Sequence, residues 1–264
     1  MVRKDVGRVR LKSVSEEDFS SCVDSVVWIM CEECGYKHYV PIRCGRRTCP
    51  ECAFYRFLEM KEKYKRFKNP RNAKFLTLTL IRSWDLEDLI ERAIDCFKKL
   101  RRRKIFRKVK GGFYSIEVKP PTAEGWFVHI HAVISGPFIP EGKISEEWID
   151  LTGDSYVVKI TDARFRKNIV YYVLGYTSNK AKIKETWKGV PEWRKEKFEE
   201  AVKNRRLIQP FGNFFGIVYE NPEPFKCPKC GCTEWIFLGI EHIEKEERER
   251  KTIFEWVEAD PPPA

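Results

Sequence analysis

Apolar and polar positions along the chain alternate between two periods. Lys74 to Ile81 (KFLTLTLI) is rich in β-formers and apolar on both faces, the pattern of a buried central strand. From Leu86 the apolar residues Leu86, Leu89, Ile90, Ala93, Ile94 and Phe97 recur at helical spacing, with Asp85 placed to cap, and the pattern runs towards Phe106. Phe113 to Lys119 and Trp126 to Ser135 read as two strands joined by a loop containing Pro and Gly, hence a hairpin. A further strand is predicted at Tyr156 to Ile160. Helices are predicted from Ala163 or Arg164 to about Ser178 and from Glu192 to Arg206. The middle of the chain is therefore expected to be an α/β (α+β) domain with a central, mostly antiparallel sheet.

Cysteine usage divides the rest. Of ten cysteines, six fall within the first 52 residues and three within Cys227 to Cys232. The expected organisation is a Cys-rich zinc module over residues 1–70, the α/β domain over 71–220, and a Cys cluster with a charged tail over 221–264. Cys31-x2-Cys34 and Cys49-x2-Cys52 are two knuckles at zinc-ligand spacing, and four thiolates make a closed structural Zn2+ site. Cys44 and His38 are spare ligands of the right type. Cys227, Cys230 and Cys232 make half a zinc ribbon, with His242 the nearby fourth ligand for a second zinc and Cys22 or a partner chain the alternatives.

The net charge of +11 points to a polyanionic partner, nucleic acid first. Lys98 to Lys110 carries nine Lys or Arg and no acid. Arg101, Arg102, Arg103, Lys104, Arg107 and Lys108 are the expected phosphate contacts, giving salt-sensitive affinity without base reading. No run of about 18 apolar residues exists, so no membrane span is expected. The charged N-terminus lacks the apolar core of a signal peptide, and the expected location is cytoplasmic.

The stretch Trp126-Phe-Val-His129-Ile-His131-Ala-Val-Ile134 carries the most chemistry. Histidines two apart in a strand project to one face, and neutral imidazole ligates divalent metals. If the hairpin pairs near residues 117 and 129, Glu117 joins them as a third ligand. In Tyr171-Tyr172-Val-Leu-Gly175-Tyr176-Thr-Ser-Asn-Lys180, Tyr172 and Tyr176 share a helical face, with Lys180 one turn further if the helix continues.

The order FLTLT (Phe75 to Thr79), HIH (His129 to His131) and YVLGYTSNK (Tyr172 to Lys180) resembles the three motifs of the HUH endonuclease superfamily, over roughly residues 73 to 182. The resemblance implies a sheet of the HUH nuclease type and a rolling-circle replication initiator of a plasmid or virus, in its two-tyrosine version. It implies that Tyr172 and Tyr176 act as nucleophiles. It also implies that His129, His131 and Glu117 hold Mg2+ or Mn2+, and that single-stranded DNA at a replication origin is the partner. The position before the second tyrosine, often Lys in that version, is Gly175, which leaves Lys180 as the candidate cation. No helicase P-loop is present, so a host or plasmid helicase is expected to separate strands. A single-strand transposase uses the same chemistry. The rival of another class is a non-enzymatic zinc-ribbon nucleic-acid binder.

Overall fold

The computed structural model describes residues 22–64, 70–163, 169–215 and 224–243. Contacts divide the chain into two units: Met1–Gly45 with Glu220–Ala264, and Arg46–Tyr219. The two ends of the chain, which the sequence reading assigns to separate modules, thus belong to one unit.

In the smaller unit, β1 (Val23–Cys31) is central, flanked by β2 (Lys37–Arg43) and β8 (Trp235–His242), all antiparallel. Trp28 on β1 packs edge-on against Tyr39 on β2 and donates its indole N–H to Glu241 at 2.7 Å, so one side chain ties all three strands together.

The larger unit is a mixed α/β domain. Its antiparallel five-stranded sheet has the order β6 (Val158–Asp162), β3 (Ala73–Thr79), β5 (Gly125–Ser135), β4 (Gly111–Thr122), β7 (Ile208–Gly212). The predicted hairpin is β4–β5, turning through Ala123 and Glu124 with Gly125 at φ +106°. At the other end, a Cβ on Gly112 would stand 2.0 Å from the Val133 carbonyl oxygen, so only glycine lets the strands close there.

Strand periodicity splits the residues of β4 and β5 between two faces. On one, Tyr114, Ile116, Ile130 and Ala132 pack with Leu76 and Leu78 against α2 (Leu86–Leu100). Here α2 buries Leu89, Ile90, Ala93, Phe97 and Leu100, each large side chain contributing about 1.5–3 kcal/mol. Asp85 caps it as predicted, accepting from the Asp88 amide at 3.0 Å. The helix stops at Leu100, short of Phe106, because the chain passes into a 3-10 turn at Lys104–Phe106. Trp148 of α3 (Glu141–Thr152) is fully buried and donates to the Thr79 carbonyl at 2.9 Å.

The opposite face carries Phe75, Phe113 and Val133, covered by α4 (Ile169–Ser178) through Val173 and Leu174 and by Phe57 and Met60 of α1 (Pro50–Lys63). Next, α4 gives way to α5 (Lys180–Thr186) at Asn179, whose extended backbone breaks the helix and whose side chain accepts from the Lys182 amide at 3.0 Å. A last helix, α6 (Glu192–Ala201), precedes β7. Among the described residues no helix is long and apolar enough to cross a membrane.

Candidate functional site

The β4–β5 register sets Glu117 directly across from His129 and Ser115 across from His131. Because β3 pairs with the other edge of β5, Thr79 stands opposite His129 and Thr77 opposite His131. Each hydroxyl meets an imidazole Nδ1, Thr79 Oγ1 at 3.1 Å from His129 and Thr77 Oγ1 at 3.3 Å from His131. A hydroxyl both donates and accepts, so it holds the ring in place in either tautomer and leaves Nε2 available.

The two Nε2 atoms are used differently. That of His131 lies 2.8 Å from Glu117 Oε2, while that of His129 is buried without a hydrogen-bond partner among the described residues. An orphaned buried nitrogen is costly unless a ligand meets it. The rings stand 5.8 Å apart and near-parallel, His131 stacked on Phe75 and His129 edge-on to Phe127.

Desolvation pushes the His129 imidazole down to about 4, with the nearby Glu117 charge opposing and His131, Lys119 and Lys182 adding to the fall. Desolvation lowers His131 too, against the pull of Glu117. Both rings are therefore neutral at physiological pH, the form that ligates metal. Burial resists charge on Glu117, yet hydrogen bonds from His131 and Lys182 outweigh it and hold the carboxyl at about 2.

Lys182 is the residue the sequence reading missed. Its Nζ lies 2.6 Å from Glu117 Oε1. Lys180, the expected cation, instead pairs with Glu51 of α1 at 2.6 Å. The reason is the break at Asn179: the helix does not continue, so the turn-by-turn extrapolation from Tyr176 to Lys180 fails, and the first turn of α5 presents Lys182.

Tyr172 lies on α4 above the same sheet face, its ring edge-on to Phe75 at 4.9 Å, and Phe75 stacks on His131 at 5.9 Å. Tyr171 turns away, towards Phe57 and the Lys61 carbonyl, as the helical spacing predicts. Tyr176 belongs to α4, but its side chain lies outside the described part of the structure.

The basic stretch needs correction at two positions. Arg101 does not face solvent; its guanidinium packs over Phe97, Tyr114 and Phe211 at 5.2, 5.8 and 4.8 Å. Arg103 pairs with Glu147 and Asp150 of α3, which supply the acids the stretch itself lacks. Arg102, Lys104, Arg107 and Lys108 remain exposed. The stretch leads into Gly111, so it stands roughly 20 Å along β4 from Glu117 at the usual strand rise. The cations beside the histidines are Lys119 and Lys182.

The cysteines have the ligand character of structural metal sites, with a different pairing from the expected one. Cys31 and Cys34 are joined by Cys227 and Cys230, all four sulfurs lying within 4.8 Å of one another, and not by Cys49 and Cys52. Strand β8 brings the second knuckle beside β1. Cys232 lies outside this group, its thiol turned to the Glu234 backbone, and His242 is not part of it either, its Nδ1 bonding Ser25 Oγ at 2.8 Å. The other N-terminal thiols suit the same kind of metal. They are Cys22 and Cys44, linked by a backbone hydrogen bond of 3.0 Å, and Cys49 and Cys52 at the head of α1.

No family model, curated protein or solved structure matches the chain.

Proposed function

We propose that the chain is a metal-dependent enzyme of the HUH type that nicks and rejoins single-stranded DNA through a 5′-phosphotyrosine link, to start rolling-circle replication of a plasmid or virus. The observation that supports it best is the strand register that sets Glu117 across from His129 and beside His131, under the helix bearing Tyr172 and Tyr176. The buried, unpartnered Nε2 of His129 and the threonine-held Nδ1 atoms fit a divalent ion.

His129, His131 and Glu117 would hold that ion, Mg2+ or Mn2+, whose charge offsets the charge developing on the scissile phosphate. Lys119 and Lys182 add positive charge on the same side for phosphate oxygens. The α4 helix presents tyrosine oxygen to the phosphate held there. A bond forms from tyrosine oxygen to phosphorus as the tyrosine proton passes to solvent, and the bond to the 3′ oxygen breaks, that oxygen taking a proton from solvent and leaving as a hydroxyl. A second tyrosine four residues away shares the helical face and permits a second cut before the first end is released. Strand separation falls to a host or plasmid helicase.

A single-strand transposase uses the same steps and remains the sister reading. A non-enzymatic zinc-ribbon nucleic-acid binder is favoured by the cluster of the Cys31, Cys34, Cys227 and Cys230 thiols, which says nothing for the histidines.

Incubation with end-labelled single-stranded DNA and Mn2+, followed by denaturing electrophoresis, should give a covalent adduct that EDTA abolishes. Tyr172→Phe and Tyr176→Phe should each weaken it, the double change should eliminate it, and Tyr171→Phe should leave it intact. An adduct mapped to Tyr171, a serine or a cysteine overturns the assignment of the nucleophile. A metal-independent adduct overturns the role of His129, His131 and Glu117.

A further inference from the structure

The two knuckles of the smaller unit share more than their spacing. Cys31-Glu-Glu-Cys34-Gly35 and Cys227-Pro-Lys-Cys230-Gly231 each end on a glycine in the left-handed region, at φ +68° and +80°. In the first, the Gly35 amide donates to the Cys31 carbonyl at 3.0 Å and the Cys31 amide to the Tyr36 carbonyl at 2.8 Å. In the second, the Gly231 amide donates to the Cys227 carbonyl at 2.8 Å and the Cys227 amide to the Cys232 carbonyl at 2.7 Å. Two turns that differ in sequence have converged on one hydrogen-bonding pattern, which aims both thiols of each knuckle the same way.

The sulfurs then meet at distances that suit an ion. Cys31 and Cys230 are 3.5 Å apart, and Cys34 and Cys227 are 3.6 Å apart. Tetrahedral zinc with Zn–S bonds of about 2.3 Å needs sulfurs roughly 3.8 Å apart, whereas a disulfide needs about 2.05 Å. No pair here is bonded. His38, the spare ligand named from the sequence, is stacked on Phe225 at 5.0 Å and is not one of the four grouped ligands.

We propose that Cys31, Cys34, Cys227 and Cys230 hold one Zn2+ in a closed tetrahedral thiolate site, and that this ion fastens β8 to the β1–β2 hairpin. Its ligands lie 193 positions apart along the chain for the Cys34–Cys227 pair, so the ion closes a very long loop. A long loop is where a cross-link restricts the unfolded chain most. Among its described residues the smaller unit has few buried side chains, and the ion adds to what they contribute.

The test uses the full chain purified without chelator. Zinc released by denaturation should fall by one equivalent per chain in the Cys227→Ser/Cys230→Ser double variant and stay unchanged in Cys96→Ser, whose thiol lies in the other unit. Alkylation of the unaltered protein, read by mass spectrometry, removes any dependence on the variant folding. Cys230 is exposed, yet it should resist iodoacetamide together with Cys31, Cys34 and Cys227 until a chelator is added, after which all four should react. Prompt alkylation of Cys230 in untreated protein overturns the proposal. So does a double variant that retains all its zinc, or iron in place of zinc. None of these outcomes bears on DNA cleavage, so the proposal stands or falls apart from the nicking reading.

Discussion

Replacing Glu117 by Gln should reveal how far Lys182 and His131 stabilise the sheet face in metal-free protein. The amide keeps the shape of the carboxyl and mimics its protonated form. An ordinary glutamate titrates near 4.5, and Glu117 is held at about 2 despite its burial, by hydrogen bonds from His131 and Lys182. A difference of that size is worth roughly 3 kcal/mol at neutral pH. The Lys182 side chain is 35% exposed, so solvent screens part of the attraction and about 2 kcal/mol is the working figure. The carboxyl is lowered on folding, so its stabilisation is fully present above pH 4.5 and disappears as the pH falls towards 2. Urea denaturation in EDTA should therefore give a gap between wild type and Glu117→Gln of about 2 kcal/mol at pH 7, narrowing steadily below pH 4.5. A gap that stays constant from pH 7 to pH 3 would refute the reasoning, since it would show that lost packing and not lost charge is responsible.

Gly175 sits within α4 with open space around its absent Cβ, so Gly175→Ala should raise stability by up to about 1 kcal/mol; an unchanged or lowered melting temperature counts against the helix placement. Arg101→Ala should cost about 1–2 kcal/mol by stripping a cation from three rings, whereas Arg107→Ala, at an exposed position, should change stability by less than about 0.5 kcal/mol while weakening binding to single-stranded DNA. Equal losses in urea denaturation would contradict that division of the basic stretch.

The face shared by Glu117, His129 and His131 was readable in the sequence because a strand's period of two leaves no freedom. Once Phe113–Lys119 and Trp126–Ser135 form a hairpin, placing residue 117 near residue 129 fixes which side chains share a face. The cation was not readable in the same way. Residues 172–180 continue a helical pattern, but Asn179 bonds the backbone locally and starts a new helix, which replaces Lys180 by Lys182 at Glu117. Asn179, a residue type favoured as a helix N-cap, was the available signal. Arg101 and Arg103 read as solvent-facing because their immediate neighbours are basic, while their partners come from β4, β7 and α3. The cysteine pairing was hidden for a similar reason. Spacing within a knuckle is local, but the choice of partner knuckle depends on β8 pairing with β1, which no local pattern encodes.

The sheet built from segments far apart in the chain imposes an order on synthesis. Strand β1 leaves the ribosome well before β8, with β2 on one edge and its other edge reserved for β8. Cys227 follows Cys34 by 193 residues, so at roughly 5–20 residues per second that edge waits about 10–40 s for its partner. An open strand edge invites pairing with any neighbouring chain. Nascent molecules on one crowded message are therefore at risk of joining through β1, and the larger unit completes its own sheet while that risk lasts.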